Sequence, residues 1–190
     1  FSFTSFNYLI NQTNLKIINY NRNSINGGSI NFDLAFKNSS HKTNIKKIKK
    51  LIKLEKKIKI EQLSTYKRFA KKITKLQVQI KKKLSKIKQS KIYGFGASTK
   101  GNVTLQFCNI DNNIMNGIYD VNPEKFKCYT PKTNILIKNE KYIFKDKPDY
   151  IVFLIWHFKK TIFEKFKKFK LKNTKFIWLF PKFKIKANHN

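Results

Sequence analysis

Tyr93-Gly94-Phe95-Gly96-Ala97-Ser98-Thr99-Lys100-Gly101-Asn102 is the stretch from which the fold can be read. Lys91-Ile92-Tyr93 ahead of it is β-prone. Val103-Thr104-Leu105-Gln106-Phe107-Cys108 behind it continues as a helix, with Val103 and Phe107 four apart. Strand, glycine turn and helix form the local grammar of an α/β nucleotide-binding unit. Gly94 and Gly96 permit a tight turn and close approach of a ligand to backbone N–H groups. Ser98, Thr99 or Asn102 can cap the helix, whose N-terminus attracts phosphate, and Lys100 adds a point charge. A dinucleotide fingerprint would place its third glycine where Thr99 stands, and the glycine here is Gly101. A Walker loop needs Gly-Lys-Ser/Thr, whereas the order is Lys100-Gly101-Asn102. The turn reads as an anion site at a helix start, or as a plain strand-to-helix turn, and names no cofactor.

Downstream, residues 91–186 read as one α/β unit. Strand 91–95 and helix 99–108 are followed by a strand at Gly117-Ile118-Tyr119 that ends in Asp120. An acidic residue there is where dinucleotide folds bind a ribose hydroxyl. Asp120-Val121-Asn122-Pro123 reads equally as an Asx-type turn satisfied by its own backbone. Asn134-Ile135-Leu136-Ile137 is expected as a short strand or extended loop. The apolar run Asp149–Trp156 suits a parallel strand covered on both faces. A helix through Ile162, Phe163, Phe166 and Phe169 follows, then a last buried strand over Lys175–Phe180, stopped by Pro181. Gly96, Asp120 and Trp156-His157 all fall at strand ends, where such sheets bind ligands.

Upstream, residues 1–14 read as a short amphipathic helix capped by Ser2 or Ser5. Leu15–Tyr20 and Ile30–Phe36 then read as an antiparallel strand pair around Asn26-Gly27-Gly28. Thr43 to Ser90 has helical character without proline or glycine, and is expected to divide near Lys57-Ile58-Lys59-Ile60. Leu63, Tyr66, Ala70, Ile73, Ile80, Leu84 and Ile87 form a stripe interrupted by Gln77. Such a stripe packs on neighbouring elements or serves a basic helix that binds a partner or a membrane surface.

The formal charge of +32 invites a nucleic-acid reading. Yet of 42 basic residues only Arg22 and Arg68 are arginine, the type that reads bases and grips phosphate bidentately. Lysine, asparagine, isoleucine and phenylalanine have AT-rich codons, so genome composition alone accounts for the texture, and no specific nucleic-acid partner is expected. Cys108 and Cys128 lack C-x-x-C spacing and read as free thiols of a reduced, cytoplasmic protein, with no metal site. The apolar run ending at Trp156 is far short of the ~20 residues a membrane helix needs.

With these pieces in order, the chain resembles the sugar-nucleotide carbon-methyltransferases. Tyr93–Asn102 is similar to the family's Gly-Tyr-Gly-Ala-Ser-x-Lys-Gly-Asn-Thr turn, and Tyr66-Lys67-Arg68-Phe69-Ala70 to its Tyr-x-x-Phe-Ala helix. Asp120-Val121-Asn122-Pro123-Glu124-Lys125 matches its Asp-x-Asn-Pro-x-Lys. Pro131-Lys132-Thr133 is similar to Pro-Gly-Thr, Lys147-Pro148-Asp149-Tyr150 to Lys-Pro-Asp-Tyr, and Gly27-Gly28-Ser29 to its Gly-Gly-Ser. Lys132, Asn134 and His157 depart from the family's glycine, histidine and asparagine.

The resemblance implies three segments. Residues 1–40 would be the terminal helix and β-hairpin of a class I methyltransferase domain, 41–90 a helical connector, and 91–186 a Rossmann-like C-terminal domain with a parallel sheet. It also implies S-adenosylmethionine as cofactor and a nucleoside-diphosphate keto-deoxysugar as substrate. The catalytic base and most of the cofactor pocket are expected upstream of Phe1, so the chain reads as a fragment inactive alone. Substrate would be held by Gly94, Gly96, Ala97, Ser98, Thr99, Lys100, Gly101, Asn102, Asp120, Asn122 and Pro123. The alternatives are a non-catalytic nucleotide-sugar or dinucleotide-binding module, or a basic nucleic-acid-binding protein.

Overall fold

The computed structural model describes residues 1–169, 171 and 173–187, and of Asn26, His157, Lys159, Lys160 and Phe163 the backbone alone. Readings that rest on the side chains of His157 and Phe163 lie outside the described residues. The chain divides into two compact units, Phe1–Lys71 and Lys72–Asn190.

The first unit begins with α1 (Phe3–Asn11), opened by a reciprocal cap between Ser2 and Ser5. Its first turn is also plugged by the buried carboxylate of Glu55. That group accepts from the N–H of Phe3 at 2.5 Å and of Thr4 at 2.8 Å, and from the Thr4 hydroxyl at 2.7 Å. Negative charge at a helix start offsets the exposed N–H dipoles. Antiparallel β1 (Leu15–Asn23) and β2 (Ser29–Phe36) follow, then α2 (Ile45–Ile58), which ends where Lys59 turns left-handed at φ 56°. The expected break in the helical stretch lies there. Phe3, Ile10, Ile17, Tyr20 and Leu51 form the core, and Phe6 stacks on Phe32 at 4.6 Å. Glu55→Gln keeps the shape but sets an NH2 against these donors, so it is expected to destabilise this unit by about 2 kcal/mol. Urea unfolding followed by hydrogen exchange in α1 measures it.

The unit boundary falls inside α3 (Leu63–Ser85). Of the expected stripe, Ile80 and Leu84 are fully buried and Ile87 packs beside them, whereas Leu63 and Tyr66 are exposed. The stripe has the helical period, but only the last turns of the helix lie against a sheet.

That sheet holds six strands: β3 (Ile92–Phe95), β4 (Gly117–Asp120), β5 (Ile137–Asn139), β6 (Tyr150–Phe153), β7 (Lys175–Trp178) and β8 (Lys184–Ala187). Their order is β5-β4-β3-β6-β7-β8, parallel except for the antiparallel β8. This is the mixed α/β, Rossmann-like architecture. Strand alternation sends Ile92, Ile118, Val152 and Ile177 to one face, against α3 and α4 (Thr99–Cys108). Tyr93, Phe95, Tyr119, Phe153 and Phe176 go to the other, under α6 (Lys159–Lys168) and the short α5 (Ile143–Asp146).

The structure sets three boundaries. Asn134–Ile137, expected as a short strand or extended loop, is extended loop until β5 begins at Ile137, since Asn134 is left-handed at φ 51° and cannot extend a ladder. The last buried strand ends at Trp178 rather than Phe180. The helix expected around Ile162 already begins at Lys159.

Both cysteines are free, Cys108 buried and Cys128 exposed. Burial pushes the Cys108 thiol from its ordinary 9.0 up to about 11. Burial, and after it Asp146, also pushes up the phenols of Tyr93 and Tyr119. A folded state that keeps such protons longer than the unfolded chain loses stability as pH rises. For Cys108 that loss runs from 9.0 to about 11. Iodoacetamide near neutral pH is expected to label Cys128 and spare Cys108, which mass spectrometry reads directly. Equal labelling would contradict the burial argument.

Candidate functional site

The site starts where β3 runs out of strand. Gly96 sits at φ +91°, and a Cβ on it would stand 2.6 Å from Cγ2 of Ile155. The turn therefore needs glycine for both backbone and space. Gly96 N–H still donates to Tyr119 O at 2.8 Å, holding the turn to β4. Ser98 caps α4, its hydroxyl oxygen accepting from Gly101 N–H at 3.1 Å. Gly101 is the close-approach glycine: a Cβ there would lie 3.1 Å from both Gly96 O and Cβ of Leu154. Thr99 and Lys100 are exposed on the first turn, and the amide oxygen of Asn102 is buried without a hydrogen-bond partner.

Gly94 does something other than the sequence reading gave it. It lies within β3, and its absent side chain makes room for Met115, Ile118 and Leu154, each within about 3.1 Å of a notional Cβ. Its glycine serves the packing of the sheet, and the turn is formed without it.

Asp120 ends β4 with its carboxylate almost fully buried. One oxygen accepts from Ala97 N–H at 2.7 Å and the other from Asn122 N–H at 2.9 Å. Lys125 completes the arrangement. Its ammonium donates to Ala97 O at 3.0 Å and stands 3.8 Å from the Asp120 carboxylate. Both polar atoms of the Ala97 peptide are thus gripped by groups from the β4 end. The Asx-type turn is present, and the same carboxylate also braces the glycine turn. Asn122 accepts from Glu124 N–H and caps a 3-10 turn over Pro123–Lys125. Lys125 was not singled out as a site residue from sequence. The signal was its place five residues after Asp120, across an Asn-Pro turn that folds it back.

β3 and β6 are the strands from which the chain leaves to opposite faces, into α4 and α6, so the topological switch point lies between their carboxyl ends. A hollow of about 220 Å³ opens there, with Gly96 and Ser98 on one side, Asp120 and Val121 on another, and the β6–α6 segment closing it. Among the described residues, no cluster of three or more His, Cys, Asp or Glu could hold a metal. No described helix is long and apolar enough to cross a membrane.

A model of the C-methyltransferase C-terminal domain matches residues 24–181. The chain belongs to that family. The match begins in the turn after β1 and covers β2, the helical stretch, and the sheet from β3 through β7. No curated protein matches the chain. Within this C-methyltransferase portion the turn, Asp120 and Asn122-Pro123 converge at one end of the sheet, as their positions in sequence required. Where the Pro-Gly-Thr pattern has glycine, Lys132 stands at φ 66°, a left-handed position that glycine occupies at lower cost.

Proposed function

We propose that this chain is the acceptor-holding part of an S-adenosylmethionine-dependent C-methyltransferase acting on a nucleoside-diphosphate keto-deoxysugar. The observation that carries the reading is the braced turn: Ala97 is fixed from both sides by Asp120 and Lys125, and the start of α4 stands at the switch point. Fixed N–H dipoles and an adjacent lysine suit a diphosphate. They do not suit a sulfonium cofactor, which is cationic. S-adenosylmethionine, when bound, supplies the methyl group. Chemistry at a carbon beside a ketone needs a base to remove its proton and a fixed alignment of the resulting carbanion. The part of this chain is that alignment: the first turn of α4 and Lys100 hold the diphosphate, and Asp120 keeps the turn in shape. The segmentation into residues 1–40, 41–90 and 91–186 belongs to the same reading.

Calorimetry with inorganic pyrophosphate tests it against the lysine-rich background. Lys100→Ala is expected to weaken binding about tenfold, or ~1.4 kcal/mol, while Lys67→Ala leaves it unchanged. Equal losses, or affinity that collapses with salt as polyanion binding does, would contradict the proposal. The purified chain alone is expected to transfer no methyl group; measurable transfer would show that the base and cofactor site lie within it.

A further inference from the structure

Two strands of this chain stand at a sheet edge in opposite ways. β8 is guarded by Lys184 and Lys186. β2 runs for eight residues, Ser29–Phe36, with neither lysine nor proline, and Asp33 is its one charge. Among the described residues β2 pairs with β1 alone. The outer side of β1 is capped, since Asn44 N–H donates to Ile18 O at 2.7 Å and the Thr43 hydroxyl to Ile17 O at 3.1 Å. Among the described residues no such bond reaches the outer side of β2. A long edge without charges or proline is a template for another strand.

The surroundings of β2 share this character. Of 42 basic residues two are arginine, so 40 are lysine, and of these Lys16 alone comes before Lys37. Asparagine, whose codons are equally AT-rich, occurs eight times in residues 1–36. Genome composition therefore explains the lysines elsewhere but not their absence here. Beside β2 opens a hollow of about 1020 Å³ walled by Phe1, Phe3, Phe6, Ile30 and Phe32. Leu34 and Phe36 on the strand itself are exposed. Aromatic residues without lysine or carboxylate are the composition of the core of a protein interface.

We propose that β2 is the docking edge for a second copy of this chain, the two β2 strands pairing antiparallel into a four-stranded sheet. The surface is nearly neutral in a chain of formal charge +32, so it is where two copies meet with least repulsion. An antiparallel pair of identical strands is self-complementary and closes at two. Residues directly opposite one another share a face of the sheet, which limits the register. With Asp33 on the two-fold axis, like charges would face each other. With Phe32 on the axis, Ile30 faces the partner's Leu34 and Asn31 faces the partner's Asp33. That register also sets both copies of the aromatic hollow on one face, on either side of the axis.

Analytical ultracentrifugation of the full chain in about 1 M salt, where charge reaches only roughly 3 Å, tests this. The mass is expected to double from 22.6 kDa as the concentration rises to about 100 µM. Leu34→Lys is expected to weaken the dimer at least tenfold, whereas Val78→Lys, at an exposed position of α3, leaves it unchanged. Asn31→Lys sets its new charge against the partner's Asp33 and is expected to leave the affinity within threefold. Hydrogen exchange of the parent chain adds a readout that needs no variant: amides of β2 slow as the dimer forms, and those of β8 do not. A mass of 22.6 kDa throughout, growth beyond two copies, or protection that appears in β8 rather than β2 overturns the proposal. So does a dimer indifferent to Leu34→Lys. A tenfold loss with Asn31→Lys overturns the register.

Discussion

Gly96→Ala is expected to destabilise the second unit by about 3 kcal/mol, the sum of a backbone and a packing effect. At φ +91° an L side chain is strained whatever the space around it. The added methyl also meets both γ-carbons of Ile155, at 2.6 and 2.8 Å, close to the branch point where a rotamer change relieves little. Gly28→Ala separates the two effects: its φ is +130°, but nothing lies within 4 Å of the new carbon. It should show the backbone cost alone, about 1 kcal/mol, in the unfolding of the first unit. Urea denaturation of both variants checks the difference. Equal costs would mean that Ile155 gives way freely and that the turn is looser than its geometry implies.

Asp120→Ala is expected to cost about 3 kcal/mol, because two charge-assisted bonds to backbone N–H groups are lost together. Ala97 N–H is left without an acceptor in the interior, and Lys125 loses the carboxylate beside it. Asp120→Asn restores an acceptor to one N–H but turns an NH2 toward the other, so it should lie between alanine and the parent. Lys125→Met removes the second half of the brace and spares the carboxylate. If Asp120 only closes an Asx turn with Asn122, its alanine variant will cost less than ~1.5 kcal/mol, the worth of one ordinary hydrogen bond. If it braces the turn as well, pyrophosphate affinity will fall along with stability.

These two residues show how far the sequence could be read. Gly96 and Asp120 were legible because a positive-φ turn after a strand and an acid at the next strand end each have a local physical signature. Gly94 looked equally suited to the turn. What assigns it to packing is Met115, Ile118 and Leu154, residues distant in sequence that no local pattern reveals. β8 is silent in the sequence for the opposite reason. Lys184-Ile185-Lys186-Ala187 is exposed at every position, so an edge strand guarded by lysines carries no hydrophobic run to announce it. The α3 stripe had the right period, but periodicity gives the apolar face of a helix and is silent on how many turns have something to pack against. Lys125 lay in plain view within the Asp-x-Asn-Pro-x-Lys run. Its role follows from the 3-10 turn at Pro123, which returns its ammonium to Ala97 O.

The grip of the β3–α4 turn on a diphosphate is tested most directly by titrating pyrophosphate into the ¹⁵N-labelled chain and following amide shifts. Saturable changes concentrated on Gly96 through Asn102, with Asp120 and Lys125 responding at the same midpoint, are the expected result. Unsaturating shifts scattered over the lysines of α2 and α3, with the turn silent, would contradict it.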